Sequence, residues 1–262
     1  MKEMNQPTQY PLLVFVLSFI GLWLAGWVGW SFRRRQGALD AEMHEDFGFI
    51  LAATLTLLGL IIGFSFSMAT SRYDQRKIYE EEEANAIGTE YVRADLLPAA
   101  DAATVRPLLR KYLDERILFY MTHDEQELKQ INARTAQLQT ELWTAIRAPA
   151  AAQPTQIVAL AVSGMNDVFN SQGYTQAMYW NRIPTGAWGL MIAIAIGCNL
   201  LVGYGSHSAK AGSKLLPILP LIVSIAFMLI ADIDSPRHGF ILVRPQNLIS
   251  LAESLPPPSG TP

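Results

Sequence analysis

The chain is poor in the residues from which most catalytic and metal sites are built. Its 262 residues include one cysteine, Cys198, and four histidines. A single cysteine excludes an intrachain disulfide, and its position inside an apolar run points to a small buried side chain. His44, His123, His207 and His238 are scattered, without the H-x-x-x-H or Cys spacing of a metal site, so no metal is expected. There is no phosphate-binding glycine loop, no Gly-x-Ser-x-Gly turn and no cofactor motif. Asp232 and Asp234 could pair as acid and base, but carboxylates at a helix-to-tail junction fit a solvated or ion-paired role better. The expectation is a protein that is not an enzyme.

Charge is scarce too: 16 % of the residues are Asp, Glu, Lys or Arg, and the formal net charge is -3. That balance, with no Lys/Arg stripe interleaved with aromatics, sets nucleic-acid binding aside. Strand-period alternation of useful length is missing, which leaves helices.

Apolar sequence, by contrast, is abundant and concentrated. Four runs, from Pro11 to Phe32, Phe47 to Ala69, Pro184 to Tyr204 and Leu215 to Ala231, contain no Lys, Arg, Asp or Glu and approach the length a bilayer requires. The fold class expected is an all-α membrane protein. It has four transmembrane helices, and a helical soluble domain is inserted between the second and third. The expected divisions are 1–71 (N-terminal tail and transmembrane helices 1 and 2), 72–183 (soluble domain), 184–232 (transmembrane helices 3 and 4) and 233–262 (C-terminal tail, its last residues disordered). The first run ends in Arg33, Arg34 and Arg35 with no cleavage site and should stay as an anchor, with Trp23, Trp27 and Trp30 near the headgroups. The lipid bilayer is thus the first partner.

The second run, FGFILAATLTLLGLIIGFSFSMA, passes without a proline or stop signal into SRYDQRKIYEEEEANAIGTEYVRADLL. As one helix the two would be on the order of 75 Å long, so the second helix extends out of the membrane. Two rows at i, i+4 spacing run along its apolar half. Gly59, Gly63, Ser67 and Ser71 are small and invite close helix contact; Thr56, Leu60 and Phe64 grow in bulk and could face a partner or a pore. Arg72, Arg76 and Lys77 follow as a headgroup anchor or, alternatively, a positive collar at a pore mouth, the anchor being preferred. The carboxylates Glu80 to Glu83 lack the spaced ligands and turn glycine of a calcium loop and read as a solvated helix face. Asn199, inside the third run, should make an interhelical hydrogen bond.

In the soluble block, Ala84, Ile87, Tyr91 and Ala94 share one face of the second helix, which Pro98 ends. A helix VRPLLRKYLDERILFY should be capped by Thr104 with Pro107 in its first turn. Another runs from Glu125 to Arg147 and is broken by APAAAQP; a last one starts at Thr155. GSHSAKAGSK joins spans three and four as a hairpin, and Pro217 and Pro220 should kink span four or loosen its first turn.

GFSFSMATSRYDQRKIYEEEEANAIGTEYVRADLL and ADIDSPRHGFILVRPQNLISL together resemble the bestrophin-like domain family of bacterial membrane proteins, and more faintly the bestrophin ion channels. Arg72, Tyr73 and Arg76 match the motif after the second span; Asp234, Pro236, Asn247 and Leu248 match the one after the last. The resemblance implies a homo-oligomer, a pentamer, whose second spans line a pore with an apolar neck at Thr56, Leu60 and Phe64, passing inorganic ions across the bacterial inner membrane. The alternative is a non-conducting membrane scaffold or sensor whose soluble domain binds a partner. Near the membrane, the side of the termini and soluble block carries Lys2, Arg72, Arg76, Lys77, Arg182, Arg237 and Arg244 against Arg33, Arg34, Arg35, Lys210 and Lys214 on the other. Seven against five is a small excess, and the Arg33–Arg35 triplet points the other way; it is the resemblance that places the soluble block and both termini in the cytoplasm.

Overall fold

The computed structural model describes residues 10–35, 41–206 and 216–256, with the backbone alone for 41–44. Residues 1–9, 36–40, 207–215 and the last six lie outside them, as do the expectations placed there, among them the hairpin between spans three and four. Among the described residues there is no strand. The helices are α1 (Pro11–Arg35), α2 (Ala41–Arg93), α3 (Ala99–Met121), α4 (Glu125–Ala152), α5 (Gln156–Trp180), α6 (Thr185–Gly205), α7 (Ile218–Asp234) and α8 (Gln246–Ser254), with a 3₁₀ turn at Ala94–Leu96. Among the described residues, three stretches are long and apolar enough to cross a membrane: Pro11–Arg35, Glu45–Leu96 and Gln156–Gly205. The fourth apolar helix, α7, has 17 residues.

The chain divides into two compact units, Met1–Tyr73 with Arg182–Leu242 and Asp74–Asn181 with Val243–Pro262. In the first unit α1 packs on α6 and α7. Its core gathers Leu22, Leu58, Ala69, Trp188, Met191, Ala195, Cys198, Val223 and Phe227, with partly buried Tyr73 against it. The Trp188 and Phe227 rings meet edge-on, centroids 6.1 Å apart. Glycine decides how close α1 and α6 come: a β-carbon on Gly29 would collide with the Leu200 carbonyl, and one on Gly203 with the Gly26 carbonyl. Small residues let backbones approach in this way where lipid supplies no hydrophobic drive. Asn199 is buried, but its Nδ2 donates to the Ala195 carbonyl of its own helix at 2.8 Å and not across helices as expected. Its neighbour Cys198 does reach another helix, with Sγ 3.3 Å from the Thr54 carbonyl. Pro217 caps α7 and Pro220 occupies its first turn, where an N–H would have no intrahelical acceptor, so no backbone bond is lost.

The second unit is a bundle in which α3 packs on α4 and α8, and α4 on α5. Val105, Leu109, Tyr112, Ile131, Leu142, Ile146, Met165 and Val168 are fully buried at helical spacing. Thr155 caps α5, accepting from the Val158 N–H, and Asp124 caps α4, accepting from Gln126 and Glu127 N–H at 2.8 Å. Three sequence expectations need correction. α3 begins at Ala99 with Pro98 as its cap, so Thr104 lies inside the helix and donates back to the Ala100 carbonyl, and Pro107 sits beyond the first turn. α4 continues through Pro149 to Ala152. The region after Leu242 is more than a tail, since its amphipathic stretch folds as α8.

Candidate functional site

The apolar half of α2 is the least enclosed membrane-length segment of the chain, with 6 % of its most apolar window buried, against 22 % for α1. Where it does touch the first unit's core it uses Leu58, Ser65 and Ala69, all under 9 % exposed, and partly Ile62. At roughly 100° per residue these lie in one row. Thr56, Leu60, Gly63, Phe64 and Ser67 fall within about 50° of the opposite side, so the two rows singled out from spacing share one outward face, with Gly59 at its edge. Leu60 and Phe64 are 52 % and 64 % exposed. Nothing lies within 4 Å of a β-carbon built on Gly59 or Gly63, so neither glycine makes a close helix contact within the chain. The Thr56 hydroxyl donates to the Ala52 carbonyl at 2.9 Å. With its donor engaged by its own helix, Thr56 adds little polarity to the face.

The basic residues that follow do not form one exposed cluster. Arg72 is partly buried, with Nη1 3.5 Å from Asp234 Oδ1. Arg76 is 2 % exposed, which does not suit a headgroup anchor, and of the three only Lys77 is exposed. Burial recurs in the acidic run. Glu81 and Glu82 are exposed as expected, but Glu80 and Glu83 are 2 % and 0 % exposed, so the run is not a solvated face throughout. Its spacing explains the split: positions 80, 83, 87, 90 and 94 recur every three or four residues and share the inward stripe with Ile87 and Ala94.

Each of these two carboxylates is satisfied from elsewhere in the second unit. Glu80 Oε1 accepts the backbone N–H groups of Asn247 and Leu248, both at 3.0 Å, and Oε2 accepts from Asn247 Nδ2 at 2.6 Å. Those are the free N–H groups of the first turn of α8, which has no side-chain cap of its own. Glu80 therefore caps α8 from another helix and places a negative charge at its positive end. Glu83 pairs with the fully buried Arg116 and accepts from Tyr120 Oη and Thr175 Oγ1, each at 3.1 Å. Burial works against charge on Arg116, but Glu83 together with Tyr112 and Tyr120 outweighs it, and the guanidinium holds its proton more tightly than usual. Burial and then Glu83 push the Tyr120 phenol up, so it stays a neutral donor.

The motif residues at the end of the chain are brought to these groups. Asp234 closes α7, is buried, and accepts the Ile183 N–H at 3.1 Å as well as Arg72. Asp232 accepts the Phe240 and Ile241 N–H groups at 2.6 and 3.0 Å, holding the turn that contains buried Pro236. Both carboxylates anchor backbone, which leaves little for acid–base chemistry. Asn247 and Leu248 meet Glu80, as above. Sequence reasoning missed Glu80, Glu83, Arg116, Tyr120 and Thr175; the signal for the first two was their three-residue offset in step with Ile87.

A family profile for the bestrophin-like domain matches residues 14–248. Among solved structures, the chain is similar to a bacterial bestrophin homologue from Klebsiella pneumoniae at 14 % identity with a TM-score of 0.58, covering 94 % of this chain and 99 % of that one. Two variants of that homologue give the same picture. One has 13 % identity and a TM-score of 0.59, with 92 % and 99 % covered; the other has 12 % and 0.60, with 93 % and 96 % covered. At such identity the likeness shows the fold. Comparison with curated proteins returns no match. The profile spans most of the chain, which is a member of the bestrophin-like domain family.

Proposed function

We propose that the chain is the subunit of an oligomeric ion channel of the bacterial inner membrane. α1, the apolar half of α2, α6 and α7 are its four spans, the 72–183 region stands in the cytoplasm with both termini, and α2 lines the path. The observation that carries this reading is the α2 face of Thr56, Leu60, Gly63, Phe64 and Ser67, which points away from the chain's own core with its large apolar side chains uncovered. A ring of copies, five by the resemblance, would bring Leu60 and Phe64 to an axis as a hydrophobic constriction, and such constrictions gate by dewetting. The small residues beside them let neighbouring helices close in. At 17 residues α7 is at the lower limit for a span.

The test is planar-bilayer recording of purified protein whose oligomeric state has been fixed by native mass spectrometry. Leu60→Ala with Phe64→Ala should raise conductance or leak with an unchanged size-exclusion profile. A correctly assembled wild type and double variant that both carry no current under several ion gradients would favour the non-conducting scaffold. Orientation is checked separately by a cysteine replacing Glu125, in a chain where Cys198 has been replaced. Labelling by an impermeant thiol reagent in intact cells would put the soluble region outside.

A further inference from the structure

In the second unit, five positions of α2, Arg76, Glu80, Glu83, Ile87 and Glu90, and Ala94 at the start of the 3₁₀ turn face inward at alternating spacings of four and three, and none is more than 2 % exposed. Glu80 and Glu83 have full sets of donors. Glu90 does not: both its carboxyl oxygens are buried and neither receives a hydrogen bond. Facing it on α5 is Gly164, where a β-carbon would collide with Glu90 Oε2 and would stand 2.6 Å from Arg93 Nη1. α5 therefore meets this carboxyl with bare backbone, and a larger residue there would have to push aside the ends of the Glu90 and Arg93 side chains.

The charges around Glu90 offset its burial only in part. Arg93, about one turn further along α2, has Nη1 3.7 Å from Asp167 Oδ2 on α5 and forms its ion pair there. Arg106 of α3 is held by Asp95 and lies 5.4 Å from the Tyr91 ring centroid. A carboxylate buried without donors carries a desolvation cost that a neutral acid of the same shape avoids.

We propose that Glu90 is a proton-binding site, that the packing of α2 on α5 at Gly164 holds its carboxyl protonated, and that loss of the proton loosens this packing. The Glu90 carboxyl is pushed up from 4.5 to about 8, chiefly by burial, with Arg93 pulling it down and Asp167 pushing it up. The folded chain keeps the proton where an unfolded chain would lose it. The stability Glu90 contributes is therefore full below 4.5, declines from there, and is lost as pH rises through about 8. The proposal does not depend on the channel reading.

The experiment uses the full chain in detergent. Infrared difference spectra of the wild type should show a protonated-carboxyl band near neutral pH that titrates near the Glu90 pKa and is missing in Glu90→Gln, whose side chain mimics the neutral acid. Hydrogen exchange of 86–94 and 160–168, corrected for the intrinsic rate, should accelerate roughly tenfold per pH unit between 4.5 and the midpoint near 8 in the wild type and level off above it. In Glu90→Gln it should stay flat. Asp167→Asn should move the midpoint down, since it removes a charge that favours the proton. A wild type without the band, a Glu90→Gln variant that still titrates, or an unmoved midpoint in Asp167→Asn would overturn the assignment.

Discussion

In its apolar half α2 leaves Leu60 and Phe64 largely exposed, whereas in its charged half the same helix buries Arg76, Glu80, Glu83 and Glu90. The usual sorting of side chains is inverted at both places. An uncovered apolar face is tolerable if lipid or other copies of the chain cover it, and patches of this kind mark such surfaces. Buried charge is tolerable only when paired and hydrogen-bonded, as Glu80 and Glu83 are. The apolar half therefore takes its specificity from shape, with small residues beside large ones. The charged half takes it from donors that only one arrangement of helices supplies.

The sharpest way to break this comparison is to remove one member of a buried pair. Glu83→Ala leaves Arg116 at 0 % exposure without its counter-ion and should cost about 3–5 kcal/mol, read as a fall in chemical or thermal stability in detergent. Removing the charge at both ends, Glu83→Leu with Arg116→Met, should recover most of that loss. Glu81→Ala, on the exposed side of the same run, should stay within about 0.5 kcal/mol of wild type.

Next in size are the glycines. Gly203→Leu forces a side chain into the Gly26 backbone and should cost about 1–3 kcal/mol or more in the subunit itself. At Gly63 a β-carbon has nothing within 4 Å, and the variant to make is Gly63→Leu. It should leave subunit stability alone while lowering the oligomer seen by native mass spectrometry. Equal effects of the two would mean that α2 has no shape-based contact of its own.

A smaller effect is expected at the helix cap. Glu80→Ala should cost about 1 kcal/mol and show as faster hydrogen exchange confined to 246–254. Smallest of all, Leu60→Ala and Phe64→Ala should each change stability by roughly 0.5 kcal/mol or less in an isolated subunit, because neither is covered there. A loss several times larger would mean that this face is packed within the subunit after all.

Much of this was legible beforehand where period and composition act locally. The four apolar runs, the unbroken passage of α2 out of the second, the start of α5 at Thr155 and the buried stripes of Ile131, Leu138, Leu142 and Ile146 all follow from spacing. The start of α3 was misplaced because Thr104 is a good cap and Pro107 looks like a first-turn proline, while Pro98 does the capping. The fate of the acidic run was hidden for a different reason. Glu83 is satisfied by Arg116, Tyr120 and Thr175, and Glu80 by Asn247 and Leu248, which are far away in sequence. No local pattern announces such partners. The outward face of α2 was visible as two rows, but their merging into one surface depended on which side Leu58, Ser65 and Ala69 would turn inward.

The cap that Glu80 provides for α8 also orders events during synthesis. The second unit is discontinuous, closed by Val243–Pro262 only after α6 and α7 have been made. Until Asn247 and Leu248 leave the ribosome, Glu80 has none of its three donors and its site on α2 must stay hydrated. The nascent bundle of α3, α4 and α5 therefore waits with one open edge while the last apolar helices are delivered. A chain released before Gln246 would lack the three donors that Glu80 accepts in the finished subunit, and the edge that α8 covers would stay open.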